Sequence, residues 1–249
     1  MLQLLRIALT VAVLLIAPHA FAAEAVDLLL VLAADVSRSV DQPKFQLQRE
    51  GYAAAVSDPR VLEAITSGAQ HKIAICFVEW SGFGAQKVVI DWMIVKDAAT
   101  ARQFGDQILE APRSFADRTS ISGGIDFALA QFDRSPFESR RKTIDVSGDG
   151  TNNAGRDVKQ ARDEALAKGV TLNGLVILSD KPLPWNPEHT NPPGGLANYY
   201  KDNVIGGPGA FVMVAENFES FGTAIVNKLI AEIAAQEPER KAASLVAPR

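Results

Sequence analysis

The 249-residue chain has one cysteine, Cys76, so it cannot form an internal disulfide. That cysteine sits in Ile73-Ala74-Ile75-Cys76-Phe77-Val78, where a buried small hydrophobe is the expected role rather than a reactive thiol. Histidine is scarce too. Only His71 and His189 lie beyond residue 22, and no Gly-x-Ser-x-Gly elbow occurs, which argues against a Ser-His-Asp hydrolase. The first strand is not followed by Gly-x-Gly-x-x-Gly, so dinucleotide binding is not indicated. Basic clusters are absent and the net charge is −4, which makes nucleic acid a poor partner. After residue 22 no apolar run approaches the roughly 20 residues that a membrane span requires. No internal repeat or interdomain linker is visible.

What is present reads as an ordinary globular protein, 47% hydrophobic and 22% charged. Residues 1–22 stand apart. Arg6 precedes an apolar run over 7–17, then Pro18 and Ala20-Phe21-Ala22. This is the layout of a secretory signal peptide cleaved after Ala22. The alternative, a retained anchor, is disfavoured because the run is short. Removal of Arg6 with that segment lowers the net charge by one unit. An exported, periplasmic or secreted protein is expected, with one domain over residues 23–235 and a mobile tail over 236–249.

Within the domain, apolar runs alternate with helical patterns. Strands are expected over 26–35, 73–80, 87–95, 141–147, 170–178 and 210–214. Helices are expected over 45–56, 61–67, 97–110, 122–132, 155–168, 196–202 and 218–235. Asp41 and Pro43 suit a helix start, and Gly169 suits a helix end. A Pro-rich loop over 181–195 carries Trp185 and His189. Strands separated by helices of ten or more residues form right-handed βαβ units. The fold class is therefore α/β, with a doubly wound, mostly parallel central sheet flanked by helices.

The first strand, Val-Asp-Leu-Leu-Leu-Val-Leu-Ala-Ala, is continuously apolar from Leu28 to Ala34 and then gives way to Asp35, Ser37 and Ser39. A strand buried on both faces reads this way, and it delivers functional groups at its carboxyl end. One carboxylate and two hydroxyls at alternate positions suit a hard, oxygen-preferring cation. Two further segments bring oxygen donors to the same edge: Asp117 to Ser122, containing Thr119, and Ser147-Gly148-Asp149-Gly150-Thr151-Asn152-Asn153.

Together these segments resemble the metal-ion-dependent adhesion site of von Willebrand factor type A domains. That site is written Asp-x-Ser-x-Ser, a later loop Thr, and an Asp-Gly turn after a further strand. More narrowly, Val78-Glu79-Trp80-Ser81, Ile144 to Gly150 and Val204 to Phe211 are similar to a bacterial exported subfamily, the DUF1194 group. The resemblance implies that Ser37 and Ser39 ligate an ion through their hydroxyls. It implies that Thr119, Asp35 and Asp149 do so directly or through water. The ion would be Mg²⁺, or Mn²⁺ or Ca²⁺, and an acidic residue of a protein or peptide partner would complete its coordination. This is a binding role rather than an enzymatic one.

The third segment departs from the pattern, because Gly148 stands where Ser or Thr is common. Asp145 competes with Asp149 for the assignment, but it lies inside the strand, where an unpaired carboxylate is costly. Helix capping by Asp35 and Ser37, or a plain Asx turn at 149–153, would explain each segment singly. Two alternative functions remain: a metal-dependent hydrolase or phosphatase using Asp35, and a degenerate scaffold without metal. Glu79, Trp80 and Asp180 are expected to anchor loops rather than ligate. Arg38 is either a solvated cation or a grip on an acidic ligand, and Trp185 either faces a partner or packs within its loop.

Overall fold

All seven residues of the strand Leu29–Asp35 are buried, which requires cover on both faces of the sheet. The computed structural model describes residues 23–179 and 182–235. The expected leader, Asp180 and the C-terminal tail lie outside the described residues.

In chain order the elements are β1 (Glu24–Ala25), β2 (Leu29–Asp35), α1 (Gln42–Val56), α2 (Pro59–Thr66), β3 (Ile73–Trp80) and β4 (Gln86–Val95). Then come α3 (Ala98–Glu110), α4 (Ile121–Gln131), β5 (Phe137–Glu138), β6 (Lys142–Gly148), α5 (Val158–Ala167) and β7 (Thr171–Ile177). The last are α6 (Pro187–Thr190), α7 (Leu196–Asn203), β8 (Val212–Ala215) and α8 (Phe221–Ala234). Six strands form the main sheet in the order β4-β3-β2-β6-β7-β8. The hairpin strand β4 is antiparallel to β3 and all other pairs are parallel.

Alternation along β2 divides the core in two. Leu28, Leu30, Leu32 and Ala34 pack with side chains of α1, α2, α3 and α8. Leu29, Val31 and Ala33 face Ile121, Ile125, Ala161, Ala165 and Tyr200 on α4, α5 and α7. Each buried Leu or Val contributes roughly 1.5–3 kcal/mol. The chain leaves β2 towards one face and β6 towards the other. These two strands are neighbours, so a crevice opens between their carboxyl ends. Ala34 pairs with Ser147, which sets Asp35 and Gly148 level at that crevice.

Local chemistry fixes the helix starts. Asp41 accepts from the Lys44 amide, and Asp97 forms a capping box with Thr100. The expected start of α5 at residue 155 needs correction. Gly155 has φ +79°, outside the helical region, and Asp157 caps the helix at Val158. Within the Pro-rich loop, Pro187 opens a four-residue helical turn, α6, that the sequence reading did not anticipate. Nor did it anticipate the parallel pairing of β1 with β5, two residues on each side, which is too short to carry a periodicity.

Candidate metal centre at the carboxyl edge of the sheet

Asp35 ends β2 and is fully buried. Its Oδ1 accepts from the Ser37 amide at 2.7 Å, while its Oδ2 has no hydrogen-bond partner. The Ser37 and Ser39 hydroxyls lie 3.1 Å apart, and Ser39 Oγ donates to Asp149 Oδ1 at 2.5 Å. Asp149 Oδ2 is likewise without a hydrogen bond, with Lys44 Nζ at 3.9 Å. Lys44 Nζ itself donates to the Ser39 carbonyl at 3.0 Å. Asp41, not Asp35 or Ser37, caps α1, so helix capping does not account for the Asp-x-Ser-x-Ser segment.

The turn after β6 clamps the Thr119 loop. Asn153 Oδ1 accepts from the Thr119 amide at 2.9 Å, and the Thr119 carbonyl accepts from the amides of Asn153 and Ala154. Asn152 Oδ1 accepts from the Ser122 amide at 3.1 Å. On the other side, the Arg38 amide donates to the Asp117 carbonyl at 2.8 Å. The three segments are therefore hydrogen-bonded into one structure. Ser39 and Thr119 line a single cavity of about 70 Å³, with Arg38, Arg118, Trp185 and His189 at its walls.

Thr119 is buried, and its hydroxyl lies 3.1 Å from His189 Nε2 rather than against the carboxylates. His189 is the residue that the sequence reading missed here. Its Nδ1 is 3.3 Å from both Thr151 Oγ1 and Asn153 Nδ2, and its carbonyl accepts from the Thr151 amide. Gly150 makes room for the ring, since a Cβ there would lie 2.2 Å from His189 Nε2. The available signal was that His189 is one of only two histidines beyond residue 22, in a loop at the functional edge.

Burial pushes the Asp35 carboxyl up to about 8, with repulsion from Asp149 as the second cause. Burial raises the Asp149 carboxyl as well, against the hydrogen bond from Ser39 and the attraction of Lys44. His189 is shifted down by burial, which favours its neutral form. Two crowded carboxylates, each with an orphaned oxygen beside neutral hydroxyls, form a donor set that suits a hard divalent cation. Among the described residues no group of three or more His, Cys, Asp and Glu side chains assembles, so the hydroxyls are integral to this set.

The remaining candidates fall elsewhere. Asp145 turns away from the crevice and pairs with Lys228 at 2.7 Å, beside Glu232, all three fully or almost fully buried. Glu79 accepts from Arg49 at 2.5 Å and from the Ser114 amide at 2.9 Å, which anchors the loop leading to Thr119. Trp80 packs beneath α4 at Gly124. Arg38 and Trp185 lie on the rim, and Trp185 is 70% exposed. Cys76 is buried, its thiol pushed up to about 12 by that burial, as befits a core residue.

This architecture is that of von Willebrand factor type A domains. Proximal thread matrix protein 1 from the mussel byssus superposes with TM-score 0.62 at 16% identity, over 84% of this chain and 48% of that one. A second structure of that protein, described as having a zinc-occupied MIDAS motif, gives TM-score 0.56 at 17% identity over 85% and 49%. A von Willebrand factor type A structure from Catenulispora acidiphila gives 0.54 at 13% identity over 84% and 42%. The chain thus spans about half the length of these structures. Within this fold class the chain belongs to the DUF1194 family, described as a protein of unknown function, whose model matches residues 25–237. No curated protein matches it by sequence.

Proposed function

We propose that this chain is an exported binding module that captures an acidic residue of a protein or peptide partner through a divalent cation. Asp35, Ser37, Ser39, Thr119 and Asp149 would hold the cation, with Mg²⁺ the preferred ion and Mn²⁺ or Ca²⁺ as substitutes. One observation carries the reading. Asp35 Oδ2 and Asp149 Oδ2 are buried carboxylate oxygens without hydrogen bonds, at a strand end crowded with hydroxyls. Buried polar groups are almost always satisfied, and a cation would satisfy both oxygens and cancel their repulsion. Neutral hydroxyls leave such an ion with surplus positive charge, which attracts one more anion. Arg38 and Arg118 at the cavity wall add to that preference.

Export rests on the leader-like residues 1–22. Among the described residues no helix is long and apolar enough to cross a membrane.

The neutral His189 imidazole against Thr119 favours a second reading, a metal-dependent hydrolase with His189 as base. A titration of Mg²⁺ and Mn²⁺ monitored by calorimetry, with Asp35→Ala as control, tests the shared premise. Saturable binding lost in the variant supports it, and no binding by the wild type refutes both readings. Metal-dependent retention of Asp- or Glu-containing peptides without turnover of phosphoesters then selects the module, and turnover selects the enzyme.

A further inference from the structure

Tyr200 lies on α7, far in sequence from every residue of the candidate centre, and its ring is fully buried. Its hydroxyl has no hydrogen-bond partner. Two glycines on adjacent strands make room for it. A Cβ on Gly174 of β7 would lie 3.1 Å from Tyr200 Cδ1, and a Cβ on Gly148 of β6 would lie 2.5 Å from the Tyr200 hydroxyl oxygen. That second point is also 3.1 Å from Asp35 Oδ2, the orphaned carboxylate oxygen. The φ of Gly148 is not positive, so the demand for glycine is steric rather than conformational. Two buried, unsatisfied oxygens therefore border one small space, and one of them carries a proton to donate.

We propose that Tyr200 is a positioning residue for the ion site: its hydroxyl, which borders the space that Gly148 leaves but makes no direct bond to Asp35, holds the Asp35 carboxylate through one bridging water. The inference rests on the cation reading above and adds a residue to it. Oδ1 already accepts from the Ser37 amide, so a hydrogen bond to Oδ2 fixes the plane of the carboxylate while leaving Oδ2 a second lone pair for the cation, and removing such outer partners typically weakens metal binding about 10–100-fold. The same geometry explains why this chain departs from Ser or Thr at position 148. A side chain there would collide with the phenol, and the phenol supplies the hydroxyl instead.

The test is an exchange of hydroxyls, read as Mn²⁺ affinity by calorimetry and as melting temperature in chelator. Tyr200→Phe keeps the ring and deletes an unsatisfied polar atom. It is expected to melt no lower than wild type while binding Mn²⁺ at least about tenfold more weakly. Gly148→Ser alone meets the phenol and is expected to melt lower and bind weakly. The double variant Gly148→Ser/Tyr200→Phe restores one hydroxyl in the cleared space, and its affinity is expected to return to within about threefold of wild type. Wild-type affinity in Tyr200→Phe would overturn the positioning role and leave the ion site standing. Weak binding by the double variant, no better than Tyr200→Phe, would overturn it equally. Absence of Mn²⁺ binding by the wild type would instead overturn the cation reading itself.

Discussion

Asp35→Asn is expected to make the chelator-treated protein less sensitive to alkaline pH and to abolish its response to metal. Burial raises the Asp35 carboxyl from 3.8 to about 8. The folded state therefore binds a proton more tightly than the unfolded chain, so stability falls as pH rises from about 4 towards 8. Each pKa unit corresponds to about 1.4 kcal/mol, so the burden near neutral pH is on the order of a few kcal/mol. A divalent cation acts in the opposite sense, because it binds only the ionised carboxylates of the folded state. At 100 times its Kd it contributes about 2.7 kcal/mol, or roughly 5–10 °C in Tm for a domain of this size. Melting would be followed from pH 5.5 to 8.5 in chelator and in excess Mn²⁺. The wild type should lose stability with rising pH in chelator, and the metal-induced shift should grow over the same interval. Asp35→Asn, which can keep the Ser37 amide bond, should flatten the first curve and remove the second effect. A metal shift that shrinks with rising pH, or a variant whose chelator curve parallels the wild type, would refute this reasoning.

Three further outcomes follow from packing and exposure. Lys228→Met leaves Asp145 and Glu232 buried without their cation, and urea unfolding should report a loss of about 3–5 kcal/mol. Gly124→Ala sets a methyl 2.8 Å from the Trp80 ring, so chemical denaturation should show about 1–3 kcal/mol of destabilisation and a displaced α4. Trp185→Ala, at an exposed rim position, should leave Tm and Mn²⁺ affinity within error while weakening retention of the acidic partner peptide about tenfold or more.

Much of the fold was legible because its signals are local. Leu- and Val-rich runs of strand length, the Asp41 cap ahead of Pro43, and Gly169 after α5 place most elements within a few residues. The Asp35, Ser37 and Ser39 triplet was legible because a strand end converts alternate spacing into a cluster on one edge. Asp145 and Asp149 were distinguishable only through the expected cost of a carboxylate inside a strand. The compensating Lys228 is 83 positions beyond Asp145 and gives no local sign. His189 and Tyr200 were missed for the same reason. Each reaches the crevice from a helix packed there by tertiary contacts, and each is accommodated by a glycine, Gly150 or Gly148, whose purpose shows only when the partner ring is in place. Gly148 read as a departure from a pattern; it is the counterpart of Tyr200.

The most direct test of the ion centre is an anomalous difference map from a crystal soaked in Mn²⁺. A single strong peak is expected between β2 and the turn after β6, about 2.1 Å from the Ser37 and Ser39 hydroxyl oxygens, with Asp35 and Asp149 in direct or water-mediated contact. A well-ordered, fully soaked crystal with no peak there, or with Mn²⁺ bound only elsewhere, would contradict that expectation.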